Sequence, residues 1–351
     1  KQPSLRIAAV AGPRMRKLPI VTAFAMEKLQ VMGFIDVLVA LPRLMKMFFA
    51  IRNEILRLNP KAVICIDYPG FHLRLERSLR KKGYQGNLIH YICPTVWAWG
   101  KKRVQAMEKT LDLLLTLLPF EPKCFSNTFA VHYVGHPLVH KIGTFSYQEW
   151  GNTEKKILAL FPGSRSAEIA RNLPLQLSAA KKLQQLDPSL EIAISLAHRE
   201  REAQIRTYCP DAQLVPPEHN YDLMRKAHMA IAKSGTVTLE LALHRVPTVV
   251  IYAIQALDVW IARKIFRIDL PFYCIVNILG ERRIFPELIG PQLTQPQLDF
   301  WAERLWFNRE ERALCERGCE QVRLLLGERH ASQEASQKIL DMVSGLGVIE
   351  A

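Results

Sequence analysis

The sequence predicts an α/β protein made of two doubly wound parallel-sheet halves. Three observations predict it: short apolar, β-rich runs alternate with charged helical patterns, the alternation restarts near Lys156, and an aperiodic polar stretch separates the two series. In the first series Leu5 to Val10, Ala62 to Ile66, Leu88 to Ile92 and Leu111 to Leu117 read as strands. In the second, Ile157 to Phe161, Glu191 to Leu196, His228 to Ala232 and Thr248 to Tyr252 do the same. The stretch from Lys141 to Glu154, with Gly143, Gly151 and Asn152, is the expected hinge. Beyond Thr294 the pattern becomes helical over Pro296 to Phe307, Glu310 to Leu326 and Ala331 to Met342. The expected units are therefore residues 1–145, residues 155–330 and a terminal helix in 331–351 that packs back on the first unit.

Composition bounds the chemistry. A chain of 351 residues, 49% of them apolar, has material for two packed cores and little for disorder. Lys and Arg number 47 against 33 Asp and Glu, a balance of +14 that attracts phosphates, whether on nucleotide, nucleic acid or anionic lipid. Cysteines 65, 93, 124, 209, 274, 315 and 319 lack paired CxxC knuckles and read as reduced, buried thiols; Cys315 and Cys319 read as neighbours on a helix, not as a metal site. No secretory pattern and no membrane-spanning apolar run is present, which predicts a cytoplasmic protein that is at most peripheral on a membrane.

In open α/β sheets ligands bind beyond the carboxyl ends of strands, so the loops there are the candidate sites. Gly163, Ser164 and Arg165 follow the strand ending at Phe161 and lead into a helix. A glycine turn, free helix N–H groups and a guanidinium suit a phosphate, although a plain strand-to-helix turn has the same form. Ser234, Gly235 and Thr236 repeat the arrangement after Ala232, and Glu240 falls one turn inside the next helix, where a carboxylate can accept from ribose hydroxyls; Ser-Gly-Thr is also a common cap.

Asp67, at the tip of an apolar strand, is the candidate general base. His72 either shares that role or caps the next helix, and an Asp that ties down its own turn is the structural alternative. Trp97 and Trp99 stand beside Lys101, Lys102 and Arg103, with core packing as the alternative for Trp97. The segment from Val31 to Phe49 is apolar but broken by Asp36, Pro42 and cations. It is too interrupted to span a bilayer and fits either a core stripe or a helix in the headgroup boundary.

The ordered series Val10 to Met15, Val31-Met32-Gly33, the Asp67 loop, Pro94 to Trp99, Leu118-Pro119-Phe120-Glu121, Val134-Gly135-His136-Pro137, Pro162 to Arg165 and Ser234-Gly235-Thr236 resembles the lipid-A-disaccharide synthase family over nearly the full length. That resemblance implies a GT-B fold of two Rossmann-like domains with a C-terminal helical segment. It also implies inverting transfer of 2,3-diacylglucosamine from its UDP derivative to 2,3-diacylglucosamine 1-phosphate, with no metal or cofactor.

By the same resemblance Asp67 is the base, and Gly163, Ser164, Arg165, Ser234, Gly235, Thr236, Glu240 and Asn277 hold the UDP-sugar. Arg14, Met32, Phe34, Ile35, Leu38, Leu41, Arg43, Met45 and Lys46 face acceptor and membrane. The implied partners are the two lipid-linked sugars, an anionic surface on the inner face of the bacterial inner membrane and a second copy of the chain, but not nucleic acid.

Two departures stand out. The family's first strand and its Gly-Glu-x-Ser-Gly-Asp loop do not occur in the sequence from Lys1, so a fragment is expected. Gly70 stands where members often carry a further Asp, an alternative base. Competing readings are another UDP-sugar enzyme of the same fold, such as a 2-epimerase or the peptidoglycan N-acetylglucosaminyltransferase, a non-catalytic remnant, and a basic nucleic-acid-binding protein.

Overall fold

A parallel sheet exposes no side to water, so its strands must be apolar on both faces and be covered twice. The computed structural model describes residues 5–29, 34–98, 101–149, 155–254 and 270–345, and the six-stranded sheet of its second half meets this requirement, whereas in the first half the strand Ala62–Ile66 leaves Ile64 and Ile66 exposed. Strands β1 (Ala8–Ala11) and β2 (Val21–Ala25) form a parallel pair. Strands β3 (Ala62–Ile66), β4 (Asn87–Tyr91), β5 (Leu113–Thr116) and β6 (Val131–Tyr133) form a four-stranded parallel sheet in sequence order. The second half holds β7 (Ile157–Phe161), β8 (Glu191–Ser195), β9 (Gln213–Val215), β10 (Ala227–Lys233), β11 (Thr248–Tyr252) and β12 (Glu287–Ile289) in the spatial order β12-β11-β10-β7-β8-β9, parallel throughout.

Residues of β7 and β10 alternate between the two faces of the larger sheet. Leu158, Leu160, Met229, Ile231, Val249 and Ile251 enter one core, while Ile157, Ala159, Phe161, Ala230 and Ala232 enter the core on the opposite face. The smaller sheet divides in the same way, with Leu88 and Leu114 on one side and Ile89, Leu113 and Leu115 on the other. That second side is covered by helix Ala331–Ser344 through Ala335, Ile339 and Met342. A hydrogen bond of 2.6 Å from the Tyr133 hydroxyl to the Leu326 carbonyl also ties this sheet to the C-terminal helices.

The two doubly wound halves expected from sequence are observed, as are the late helices Gln295–Phe307 and Arg309–Leu326. Four strands were not anticipated: β2, β6, β9 and β12. Three of these span only three residues and have no period of their own; neighbouring strands supply their register. Cys124 and Cys209 are only half-buried, which corrects the expectation that all seven thiols lie in the interior. Gly151 and Asn152 of the expected hinge lie outside the described residues, as does Trp99. Among the described residues, no helix is long and apolar enough to cross a membrane.

Two buried amides on helix Ser166–Leu186 fasten the strand ends of the larger sheet. Gln176 Nε2 donates to the carbonyls of Phe161 (3.2 Å) and Ile231 (3.0 Å), so it bridges β7 and β10. Asn172 Nδ2 donates to the Glu168 carbonyl at 2.8 Å, and Oδ1 accepts from the Ala253 N–H at 3.1 Å just past β11.

In the other half, Glu121 is 3% exposed, and its Oε2 accepts from the N–H groups of Leu117 (3.2 Å) and Leu118 (3.0 Å) in the loop after β5. Burial pushes its carboxyl up from 4.5 to about 7 against the pull of those N–H groups. The folded state therefore binds this proton more tightly than the unfolded chain does, and stability declines as pH climbs through that window. Glu121→Gln should gain roughly 2–3 kcal/mol relative to the parent between pH 5 and pH 8 in urea unfolding; a difference independent of pH would show that the carboxyl titrates normally.

Candidate active site

From β7 the chain builds outward through β8 and β9, then returns to place β10 on the other side of β7. Such a reversal leaves a crevice beyond the carboxyl ends of the two adjacent strands, because their connections depart in opposite directions. A cavity of about 640 Å³ opens there, within the range of small-molecule sites. Gly163, Ser164 and Arg165 line it from the loop after β7, and Gly235, Thr236 and Glu240 line it from the loop and helix after β10.

The β7 turn has a specific need for glycine. Gly163 has φ +119°, a region that disfavours side chains, and a Cβ there would meet Glu168 Oε2 at 2.7 Å. Glu168, in the first turn of helix Ser166–Leu186, folds back over the glycine, and its Oε2 accepts from the N–H groups of Ser164 (3.1 Å) and Arg165 (3.3 Å). Its other oxygen lies 3.3 Å from Arg165 Nη1 and 3.2 Å from Lys233 Nζ. Burial pushes this carboxyl up, but Lys233 and the two N–H groups outweigh it and hold the group below its ordinary value. Arg165 itself is exposed at 74% and reaches into the opening.

On the opposite wall Glu240 accepts from the Tyr221 hydroxyl at 2.7 Å, and Lys141 Nζ stands 4.9 Å over the Tyr221 ring. Burial raises the Glu240 carboxyl, with the Tyr221 bond and Lys141 acting in the opposite direction. Ser195 Oγ donates to Asn220 Oδ1 at 2.7 Å at a third side of the cavity. Lys141, Ser195, Asn220, Tyr221 and Lys233 were not singled out from sequence. Only Lys233, the last residue of β10, carried a positional signal, because strand ends were where sites were sought.

Two residues assigned to the UDP-sugar stand apart from this lining. Ser234 continues the ladder, its N–H donating to the Ile251 carbonyl at 2.8 Å. Asn277 is fully buried: its Nδ2 donates to the Phe285 carbonyl at 2.8 Å, and its Oδ1 accepts from the N–H groups of Ile284 and Phe285 at 2.8 and 2.9 Å. The amide is thus spent on the backbone of its own turn.

Asp67 and His72 lie beyond β3, on the smaller sheet. Asp67 and Tyr68 both adopt left-handed backbone, φ 51° and 49°, before helix Pro69–Lys81. The Asp67 carboxylate is exposed. His72 Nδ1 lies 2.6 Å from the Asp67 carbonyl, which can only accept, so the ring donates from Nδ1 and leaves Nε2 as an acceptor. Burial lowers the His72 pKa, with the Asp67 carbonyl opposing, so the ring stays neutral further into the acid range than a free imidazole.

Of the residues assigned to acceptor and membrane, Met32 lies outside the described residues, and Phe34, Ile35 and Leu38 are described only as backbone of helix Phe34–Leu58. Further along that helix Leu44, Met47 and Ile51 are buried, while Leu41, Met45 and Phe49 form an exposed apolar stripe at four-residue spacing. Arg43 and Lys46 flank the stripe on the surface, and Arg52 lies 4.9 Å over the Phe49 ring. Arg14 is exposed at the start of the turn Met15–Lys17.

Two Rossmann-like domains with facing anion-suited loops at the switch point of the second define a protein of the GT-B class. The solved co-structure of Staphylococcus aureus MnaA with UDP shares this fold, with a TM-score of 0.61 and 11% identity over 96% of this chain and 87% of that one. The family model for lipid-A-disaccharide synthetase matches residues 1–341. The lipid-A-disaccharide synthase of Chlamydia trachomatis is 41% identical over 302 residues, 83% of this chain and 50% of that protein. The enzyme of the same name from Nitrosococcus oceani is 33% identical over 320 residues, 88% of this chain and 82% of its own. The chain belongs to the lipid-A-disaccharide synthase family, and spans about half the length of the chlamydial relatives it matches.

Because Asn277 holds three backbone groups that would otherwise be buried without partners, Asn277→Ala should cost about 3 kcal/mol in chemical denaturation. A loss below about 1 kcal/mol would mean that water can replace the amide.

Proposed function

We propose that this chain transfers 2,3-diacylglucosamine from its UDP derivative to 2,3-diacylglucosamine 1-phosphate. The observation that carries the proposal is the cavity at the β7–β10 switch point, where two glycine turns, Arg165 and Lys233 surround a space sized for a nucleotide sugar, in a chain that belongs to this family. The diphosphate would lie between the two turns and the ribose against Glu240, whose carboxylate is already oriented by Tyr221. UDP is the leaving group, so cations and N–H groups placed at its phosphates stabilise the charge that develops as the anomeric C–O bond breaks.

Asp67 supplies the base in this reading. Its exposed carboxylate takes the proton from the attacking sugar hydroxyl while the hydroxyl oxygen bonds to the anomeric carbon on the face opposite UDP. His72 acts by holding the left-handed turn through the Asp67 carbonyl. The Leu41–Met45–Phe49 stripe with its flanking cations supports a peripheral site on an anionic bilayer, where acyl chains of both sugars would be within reach.

The direct test incubates the chain with UDP-2,3-diacylglucosamine and radiolabelled 2,3-diacylglucosamine 1-phosphate in detergent micelles, followed by thin-layer chromatography. A disaccharide product is expected; its absence, also after an N-terminal extension from a full-length relative is added, would move the chain to another UDP-sugar reaction. Asp67→Asn should lower kcat by about 100-fold or more with UDP affinity unchanged, and His72→Ala should cost less. Equal losses, or lost UDP affinity, would remove Asp67 from the base role. Leu41→Glu with Met45→Glu should weaken sedimentation with vesicles of mixed phosphatidylglycerol and phosphatidylethanolamine, and unchanged sedimentation would place the membrane surface elsewhere.

A further inference from the structure

The cavity already contains one carboxylate placed where an anion belongs. A helix-capping Glu needs only the N–H of the residue three before it. Glu168 instead gathers two backbone N–H groups, the Arg165 guanidinium and the ammonium of Lys233, which arrives from the other loop. Its Oε2 lies so close over Gly163 that no side chain fits at that position. The Lys233 side chain is 16% exposed, and its Nζ lies 3.2 Å from Glu168 and would lie 3.8 Å from a Cβ placed on Gly235. The ammonium thus stands between the two turns that face the cavity.

We propose that Glu168 is an internal anion holding the diphosphate cradle together, and that it yields Lys233, Arg165 and the turn N–H groups to the diphosphate of an incoming nucleoside diphosphate. This rests on the reading of the cavity as the donor site. Two like-charged groups cannot share the same donors in a partly desolvated pocket, so the carboxylate gives way as the phosphates enter. The side chain has the freedom to do so because it is a long rotamer-rich chain at the cavity wall. Lys233 becomes a second phosphate-binding cation beside Arg165, and the Glu168–Lys233 pair keeps that cation in position between turnovers. The exchange sets donor affinity below what the cradle could reach alone, which favours release of UDP after transfer.

Calorimetric titration of the whole chain with UDP, uridine and inorganic pyrophosphate tests this. Gln at position 168 keeps an oxygen for the Ser164 and Arg165 N–H groups but removes the charge. Glu168→Gln should therefore tighten UDP and pyrophosphate by about tenfold and leave uridine unchanged, while Lys233→Met should weaken both anions by about tenfold with uridine again unchanged.

Glu168→Asp, whose shorter carboxylate withdraws from the turn, should tighten the anions by less than Gln does, and it serves as the readout should the Gln variant melt early. UDP binding that is unchanged or weakened in both Glu168 variants would overturn the proposal, showing Glu168 to be a builder of the turn, and would leave the donor-site reading standing. Pyrophosphate responding as expected while UDP binds no better than pyrophosphate would do the reverse, supporting the cradle and sinking the nucleotide reading.

Discussion

The pairing of β7 with β10 is the constraint on which the second half of the molecule depends. These strands are far apart in sequence yet adjacent in space, and the chain can reach that arrangement only by building β8 and β9 outward before returning. Everything beyond their carboxyl ends follows. The two connections leave in opposite directions, a crevice opens between them, and two tight turns bring backbone N–H groups to its edges without any side chain being required. The side chains then set what the crevice attracts: Arg165, Lys233 and Lys141 from three different segments against Glu168 and Glu240.

The other half works under a looser constraint. Its site candidates sit on a turn of left-handed residues, where Asp67 and Tyr68 are held by the onset of a helix and by the His72 ring. Such backbone is retained only when surrounding contacts overdetermine it, and it aims the chain at the Asp67 tip away from the strand direction. An exposed apolar stripe on the long helix Phe34–Leu58 lies in the same half, so one unit carries both a strained polar turn and a solvent-facing apolar surface.

Much of this was legible in the residues. Periodicity and the restart at Lys156 were enough for two parallel sheets, because buried parallel strands must be apolar over their whole length, as β7 is. The Gly163 turn was legible for the same reason that it exists, since only glycine tolerates the backbone there. Strands of three residues were not, because β9 and β12 borrow their order from neighbours. Nor were Tyr221 and Lys141, which reach the cavity from segments whose place beside it is a matter of tertiary packing, not of local pattern. Asn277 has the composition of a ligand-binding residue but is used up inside its own turn, a distinction that hydrogen-bond geometry alone makes.

Gln176 and Asn172 give the crevice a property of their own. One amide spans the last carbonyl of β7 and the Ile231 carbonyl near the end of β10, and the other reaches the N–H just past β11, so a single helix bolts three strand ends together from beneath. The floor of the crevice is thereby braced like a keel. Motion needed to admit a substrate is left to the side walls, and evolutionary retuning of the pocket is free to alter the rim while these two amides stay anchored.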